Sequence, residues 1–562
     1  MGVALIVTVS LIIVPLLSLL VLAATKHQRQ QRTAGAEQRK LPPSPPGALP
    51  LLGHIHLLGR LPHRGLRSLS TSHGPVMLLR LGPHPTVVAS SAAAADEALR
   101  TRDASFASRP RLPMVDRLVY GSRDLSFARY GDYWRQARRV CVLHLLSHRR
   151  VRAFRRARER EAAALVARVR RDGAAAVVNL SDALVSYAKA VVARAAFGDG
   201  DYVVDGDRGG DKLRRVVTDL QQLIMATPVR EIAPWLGWVD TLTGLEAKAK
   251  RTFEAMDGLL DRMIADHRAR RRQDGHRRRV EDDDDRDFVD VLLDVNEMEN
   301  DTGLRLDMDN IKGLIMVHYA CFMCLAYHDS SAYLYKFLLK LSLVHGEKEL
   351  QDMFVAGTDT SYTVLEWAMA ELINHPDQMR KLQEEVRGAI TGGHVTEDHL
   401  DGMPYLKGVI SETMRLHAPV PLLLPRETTE DTELLGYHIP AGTRVLINAW
   451  AIGRDAATWD HAEEFMPERF AGAATMDYTK VGQDMRFLAF GAGRRGCPGV
   501  GFAAPSVELA LANMVYHFDW ESTTTSHGRR KEGPPVLEMS EAFGLTVRRK
   551  EPLLLVAKPW SG

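Results

Sequence analysis

The chain has 562 residues, more than one compact core usually contains, so its length predicts several domains or one unusually large one. Hydrophobic residues make up 45% and charged residues 25% of it, which excludes a disordered, collagen-like or polytopic membrane chain. With 73 basic and 70 acidic side chains the formal charge is only +3, so the charge balance indicates no nucleic-acid partner. Four cysteines are too few for a disulfide framework and favour a reducing compartment.

The first feature along the chain is an uncharged segment at residues 3–24. Its 22 residues would span roughly 33 Å as a helix, enough to cross the hydrocarbon layer of a bilayer. A cleaved signal peptide is the alternative, but such peptides carry a basic start and a shorter apolar stretch. Basic residues follow the segment and none precedes it, so we predict a membrane anchor over residues 1–25 with the remaining chain in the cytosol.

A basic and proline-rich hinge follows over residues 26–50. Residues 42–47 read Pro-Pro-Ser-Pro-Pro-Gly, in which fixed φ angles and missing N–H groups favour a stiff, extended spacer. An SH3-type ligand is the alternative, although its flanking features are missing. Residues 51–562 are predicted to form the folded body of the protein.

The body begins with two predicted strands, residues 76–81 and 86–89, and a helix over 92–100. Helical periodicity dominates afterwards, so the fold class is mainly α with a small β-sheet portion. Residues 268–287 form a basic and then acidic block, which predicts a solvated connection between helices, with a partner-binding arm as the alternative.

A long apolar helix is predicted from about Met353 to Asn374, ended by His375-Pro376. Within it lies Ala356-Gly357-Thr358-Asp359-Thr360-Ser361, which taken alone also fits a helix-breaking turn. Further along, Glu412 and Arg415 are three residues apart and would share one face of a helix.

The most specific pattern is F-x-x-G-x-R-x-C-x-G, which runs from Phe490 to Gly499 and contains Cys497. Its glycines permit tight turns and the close approach of a flat ligand. A helix predicted from Val500 to Met514 places Cys497 near a helix N-terminus, where the dipole and free N–H groups stabilise a thiolate. A thiolate is a ligand for a soft metal, whereas the bland alternative is a buried, inert cysteine.

With this motif, the chain resembles the cytochrome P450 family of haem-thiolate monooxygenases, and more narrowly the plant microsomal A-type group. Glu412-Thr413-Met414-Arg415 is similar to the family's E-x-x-R, and Pro467-Glu468-Arg469-Phe470 to its second arginine motif. The resemblance implies the cytochrome P450 fold and a buried Glu412–Arg415–Arg469 cluster that supports the cofactor loop.

The resemblance also implies the roles of individual residues. Cys497 would be the axial iron ligand of haem b, and Asp359 and Thr360 the catalytic residues that relay protons. The groups implied to hold the cofactor are Trp134 and Arg138 of the W-x-x-x-R motif, Arg426, Arg495 and Phe490. The mostly apolar residues 110–125 and 420–424 would form other walls of the pocket, which suits a hydrophobic small-molecule substrate without naming it.

For activity, the resemblance implies insertion of one atom of dioxygen into an apolar metabolite at the endoplasmic reticulum membrane. Electrons would come from NADPH through NADPH–cytochrome P450 reductase, with cytochrome b5 as a further candidate partner. The alternatives are a family member that dehydrates oximes or rearranges hydroperoxides without external electrons, a non-catalytic haem-binding protein, and a non-functional product of the insertion described below.

The chain departs from the family pattern at residues 317–350, a stretch of 34 residues placed where relatives have a continuous helix. It contains Cys321, Cys324, His318 and His328, but a single C-x-x-C with loosely spaced histidines is only a weak zinc signal. Our hypothesis is a retained intron or a gene-model error. Ala489, where many relatives have proline, and Pro505, which should kink or delay the following helix, are smaller departures.

Overall fold

The computed structural model describes residues 40–174, 177–198, 219, 223, 228–232, 234–273, 287–297, 308–312, 315, 356–390, 392–470, 477–523, 537–542 and 546–561. The predicted anchor, the hinge up to residue 39 and the predicted insertion at 317–350 lie outside these residues. Within the described part of the chain, no helix has both the length and the apolar character that a bilayer crossing requires.

Helices form most of the described structure, as the periodicity predicts. In the first half they are α1 (Pro62–His73), α2 (Ala92–Asp96), α3 (Pro113–Leu118), α4 (Asp132–Val140), α5 (His148–Ala153), α6 (Arg155–Gly173), α7 (Leu180–Phe197), α8 (Val229–Ile232), α9 (Trp238–Leu242), α10 (Leu245–Gln273) and α11 (Phe288–Glu297). Two π-helical turns, Glu97–Thr101 and Cys141–Leu145, directly follow α2 and α4.

The second half contains α12 (Ala356–Asn374), α13 (Pro376–Ala389), α14 (Glu397–Leu400), α15 (Pro404–Leu416), α16 (Ala449–Ile452) and α17 (Val500–His517). Prolines open α1, α3, α13 and α15, where the missing N–H costs nothing and the fixed φ suits a helix start. The predicted apolar faces of α13 and α15 are buried.

The strands are short and peripheral. They are β1 (Val76–Leu81), β2 (His84–Ala89), β3 (Val178–Asn179), β4 (Arg426–Glu427), β5 (Thr432–Leu434), β6 (Tyr437–Ile439), β7 (Arg444–Ile447), β8 (Phe518–Ser522), β9 (Glu541–Ala542), β10 (Arg548–Arg549) and β11 (Leu554–Pro559). The largest sheet has the order β1-β2-β7-β4, in which β2 and β7 are parallel and the other pairs antiparallel. The second sheet has the order β3-β11-β8, and β5/β6 and β9/β10 are two-stranded.

Helix α12 lies at the centre of the helical core. It packs against α7, α15 and α17, and its side chains from Ser361 to Leu372 are buried. The last turn ends at Asn374, just before His375-Pro376, as predicted. This position lets one helix contact both the core and the cavity described below.

Helix α17 corrects one prediction about Pro505. The helix begins at Val500 and continues to His517, so Pro505 does not delay its start, and the helix extends beyond the predicted end at Met514. Because Pro505 lies in the second turn, its missing N–H removes only the hydrogen bond to the carbonyl of Gly501.

Candidate functional site

The loop before α17 presents Cys497. A 3-10 turn, Gly493–Arg495, precedes the cysteine, and the Cys497 N–H donates to the carbonyl of Phe490 at 2.9 Å. Gly491 and Gly493 have φ of 68° and 66°, a region that other residues rarely adopt. A Cβ on Gly493 would lie 2.2 Å from the carbonyl oxygen of Leu99, so glycine is also required there by space.

The electrostatics of Cys497 differ from the prediction of a stabilised thiolate. Burial raises the pKa of the Cys497 thiol above its usual range, although the Gly499 N–H, 3.4 Å from Sγ, and the nearby Arg138 cation both oppose this effect. The effect of desolvation on the pKa therefore outweighs those of the Gly499 N–H and the Arg138 cation. Deprotonation would then accompany metal binding, as it does at other thiolate sites.

Cys497 opens onto a cavity whose empty space, counted together with its opening to solvent, is about 1220 Å³. Its walls are mainly apolar and include Leu125, Val420, Leu423 and Leu424 from the two segments predicted to line a pocket. Phe490 also lines it, in agreement with its predicted place beside the cofactor. The cavity therefore combines a thiol with an apolar interior.

Four arginines line the same cavity, and no acidic side chain does so among the described residues. Three of them, Arg138, Arg426 and Arg495, were expected from the sequence. Arg138 donates to the carbonyl of Gly496 at 2.8 Å, and Arg426 to that of Ala492 at 3.0 Å. Burial lowers the pKa of Arg426 to about 10, with the nearby Asp103 opposing this shift, so the side chain remains a cation at neutral pH.

The fourth cavity arginine, Arg109, was missed by the sequence reasoning. It is 3% exposed, and its guanidinium donates to the carbonyls of Ser126, Leu424 and Pro425 at 2.8, 2.9 and 2.8 Å. Its position directly before the predicted pocket wall, which begins at residue 110, was the available signal.

Trp134 lines the cavity, but its indole N–H has a different partner from the one expected. It donates to the carbonyl of Leu125 at 2.9 Å instead of remaining free for a ligand carboxylate. The guanidinium of Arg495 lies over the indole ring, 4.0 Å from its centroid, and that of Arg138 lies 5.6 Å from it. The ring thus acts as a platform that orients two cavity arginines.

The predicted proton-relay segment reaches this cavity from α12. Thr360 lines the cavity together with Ser361 and Val364. The backbone at Asp359 is helical, while its side chain lies outside the described structure. The fold therefore brings Thr360 and Cys497 to one cavity, although they are 137 positions apart in the chain.

The predicted charge cluster lies outside the cavity lining. Arg415 donates from Nε and Nη2 to the two carboxylate oxygens of Glu412, at 2.7 and 2.8 Å, and Arg469 Nε lies 3.2 Å from the same carboxylate. Arg415 also donates to the carbonyls of Gly453 and Ala462, each at 2.6 Å. The three predicted residues therefore form one paired cluster, in which Glu412 and Arg415 are buried and Arg469 is partly exposed.

The cavity's chemistry fits haem. An iron porphyrin is flat and apolar, carries two carboxylates and takes an axial ligand from the protein. Cys497 supplies a soft ligand, the walls are apolar, and Arg138 uses one of its five N–H donors on a protein carbonyl. The residues present match each part of such a cofactor.

Comparison with known proteins shows which family the chain resembles. The cytochrome P450 family model matches residues 42–320 and 335–546. The chain is 40% identical over 521 residues to cytochrome P450 736A117 of Prunus mume, covering 92% of this chain and 90% of that protein. It is 42% identical over 508 residues to cytochrome P450 71A1 of Persea americana, covering 90% and 91%.

Two further proteins are similar to this chain. The (+)-menthofuran synthase of Mentha piperita is 40% identical over 543 residues, covering 96% of this chain and 97% of that protein. A zebra fish cytochrome P450 solved with abiraterone superposes with a TM-score of 0.66 at 23% identity, covering 90% of this chain and 100% of that one, which supports the fold alone.

The chain therefore belongs to the cytochrome P450 family. Its similarity to plant members makes it a monooxygenase, and this family membership implies haem, a redox partner and a small-molecule substrate. The family match is interrupted at residues 321–334, which lie within the predicted insertion.

Proposed function

We propose that this protein inserts one atom of dioxygen into a hydrophobic small molecule of plant specialised metabolism. The proposal rests on the observation that Cys497, four arginines and Thr360 line the same apolar cavity. Apolar walls favour an apolar substrate. The name of one relative, (+)-menthofuran synthase, supports a small plant metabolite as the substrate class.

In this proposal Cys497 would bind the iron of haem b, and Arg138, Arg426, Arg495 and Arg109 would hold its carboxylates. The bound haem supplies the chemistry that activates dioxygen. Arg138 also lies near the thiol and favours its ionised form against the cost of burial. Guanidiniums suit this task because their planar donors match a carboxylate.

Thr360 and Asp359 are proposed to hold and deliver protons from α12. The Thr360 side chain lines the cavity, and a hydroxyl can both accept and donate a hydrogen bond. Thr360→Ala should therefore lower the yield of oxidised product per NADPH consumed and increase peroxide release. Tight coupling in this variant would remove Thr360 from the proposal.

We further propose an anchor in the endoplasmic reticulum membrane and electron supply from NADPH through NADPH–cytochrome P450 reductase, with cytochrome b5 as a second donor. The uncharged residues 3–24 and the basic residues after them support this arrangement. Carbonate extraction of plant microsomes tests the anchor. Mass spectrometry of the N-terminus separates it from a cleaved signal peptide, which would be missing from the mature protein.

The assignment is tested by the reduced carbon-monoxide difference spectrum, in which thiolate ligation gives a Soret band at about 450 nm. Cys497→Ala should abolish the band. Cys141→Ala is the control, because Cys141 is a buried cysteine outside the cavity lining. A band that survives in Cys497→Ala would overturn the proposal.

Turnover with and without NADPH separates the proposed oxygenation from oxime dehydration or hydroperoxide rearrangement, neither of which needs external electrons. Type-I spectral shifts with indoles, terpenoids, oximes and phenolics would identify the substrate class.

We also propose that residues 317–350 derive from a retained intron or a gene-model error. Spliced transcripts joining the codons near Met316 and Gln351 would support this origin, and uniform reads through the segment would exclude it.

A further inference from the structure

Asp124 is a fully buried carboxylate close to the cavity but outside its lining. Its Oδ1 accepts hydrogen bonds from the backbone N–H groups of Ser126 and Phe127, at 2.5 and 2.6 Å. Its Oδ2 has no hydrogen-bond partner among the residues that the structure describes. One carboxylate oxygen therefore holds the backbone turn that begins at Asp124.

The backbone carbonyls of the turn held by Asp124 accept hydrogen bonds from side chains that line the cavity. We call residues 124–128 the carbonyl loop. The carbonyl of Ser126 accepts from Arg109 at 2.8 Å, and that of Ala128 accepts from Arg495 at 2.6 Å. The carbonyl of Leu125 accepts from Trp134 at 2.9 Å and from Arg495 at 3.3 Å.

These hydrogen bonds restrict the orientations of Arg109 and Arg495. Arg109 and Arg495 each have at least one hydrogen bond to the carbonyl loop and others to separate segments, including the carbonyls of Pro425 and Ala107 at 2.8 and 2.7 Å. A guanidinium held at several donors has little freedom to rotate. The position of the carbonyl loop therefore determines where the two guanidiniums lie in the cavity wall.

We propose that Asp124 is a positioning residue for the haem carboxylates, acting through the carbonyl loop on Arg109, Arg495 and Trp134. This inference rests on the proposed function, in which those arginines hold the cofactor. Asp124 itself touches neither the cofactor nor the reacting atoms; its effect passes through the carbonyls that it orders.

The charge of Asp124 is consistent with this role. Burial raises the pKa of Asp124 to about 6, whereas the two backbone N–H groups and the cations Arg495 and Arg109 favour the ionised form. The carboxylate therefore remains ionised at neutral pH and offsets part of the positive charge that two neighbouring guanidiniums bring into the interior.

Three variants of the full-length haem-loaded protein test the proposal. Asp124→Ala removes both hydrogen bonds, while Asp124→Asn keeps an amide oxygen that can accept them. Asp240→Ala is the matched control, because Asp240 is also buried and also accepts two backbone N–H groups, from Val229 and Arg230 at 2.7 and 3.0 Å, but neither of these two residues lines the cavity.

The readouts are the propionate-bending bands of the resonance Raman spectrum and the rate of haem loss to excess apomyoglobin. Loss of buried hydrogen bonds to a charged group should speed haem loss in Asp124→Ala by about tenfold or more and shift the propionate bands. Asp124→Asn should stay within about threefold of the parent rate, because the hydrogen-bonded turn is retained. Asp240→Ala should leave the propionate bands unchanged.

Two results would overturn the proposal: parental bands and haem loss in Asp124→Ala, or equal effects of Asp124→Asn and Asp124→Ala. If Asp124→Ala yields no folded protein, Asp124→Ser replaces it, since its hydroxyl can still accept a backbone N–H and an intermediate effect is expected. A parent protein without the band at about 450 nm would instead refute the proposed function. A parent with that band and insensitive variants would refute only the role of Asp124.

Discussion

Glu412 and Arg415 are joined by two hydrogen bonds of 2.7 and 2.8 Å, and both side chains are fully buried. The pair lies on α15, and the backbone N–H of Met466 also donates to Glu412 at 2.8 Å. Arg469 adds a second cation at 3.2 Å. These contacts link α15 to the second arginine motif at residues 467–470. Each charge of the Glu412–Arg415 pair therefore has a partner.

Removing the charge of Glu412 should destabilise the protein strongly. Glu412→Gln leaves Arg415 buried without a counter-ion, which typically costs about 3–5 kcal/mol. Denaturant unfolding of the haem-loaded protein measures the change. Glu384→Gln, which breaks the exposed Arg380–Glu384 pair, should cause no measurable change. A Glu412→Gln variant as stable as the parent would show that the cluster adds nothing to stability.

Gly493→Ala should reduce haem incorporation. The substitution would place a Cβ 2.2 Å from the carbonyl oxygen of Leu99, at a residue whose φ is 66°. The turn before Cys497 must therefore move, and the fraction of protein with a band at about 450 nm should fall. Gly501→Ala is the control: space is open at this helical position, and the variant should gain up to about 1 kcal/mol. Equal haem content in the two variants would contradict this prediction.

Lys312→Met should loosen the segment that contains α3. The ammonium of Lys312 lies 2.7 Å from Asp257 and 2.6 Å from Asp261 on α10, and Tyr120 donates to Asp257 at 2.6 Å. Without the cation, the two carboxylates face each other, which should cost about 1–3 kcal/mol. Hydrogen exchange at residues 113–123 should accelerate. Lys381→Met, which breaks the partly exposed pair with Glu468, should leave this exchange unchanged.

The stability of the protein should depend on pH through Glu508. Burial raises the pKa of Glu508 to about 7 despite its hydrogen bond from Tyr478. The folded state therefore binds this proton more tightly than the unfolded state, whose pKa is 4.5. Stability falls as the pH rises from 4.5 to 7, because the folded state must then ionise a buried group or retain its proton.

Glu508→Gln tests this dependence because the amide does not ionise. Its free energy of unfolding, relative to that of the parent, should rise as the pH increases from about 4.5 to 7. Urea unfolding at several pH values measures both proteins. A constant difference across this range would show that Glu508 does not have the raised pKa.

Local motifs predicted most of the elements that carry the site. Residues three apart on a helix share a face, so the pairing of Glu412 with Arg415 followed from spacing alone. The glycines around Cys497 and the helix after it were likewise readable from the chain, since turn and helix preferences act over a few residues. The desolvation of the Cys497 thiol could not be read from the sequence, because it results from tertiary packing. It raises the pKa of the thiol, whereas the sequence predicted a lowered one.

The sequence by itself determined the family pattern, the candidate ligand Cys497 and the helix that carries Thr360, because each depends on short spacings. Tertiary structure alone decided that Trp134 donates to the carbonyl of Leu125 and that Arg109 belongs to the cavity wall. Backbone carbonyls are present at every residue and have no sequence signature. Which side chain reaches which carbonyl, even across the 370 positions between Arg495 and Leu125, is fixed only when distant segments pack together.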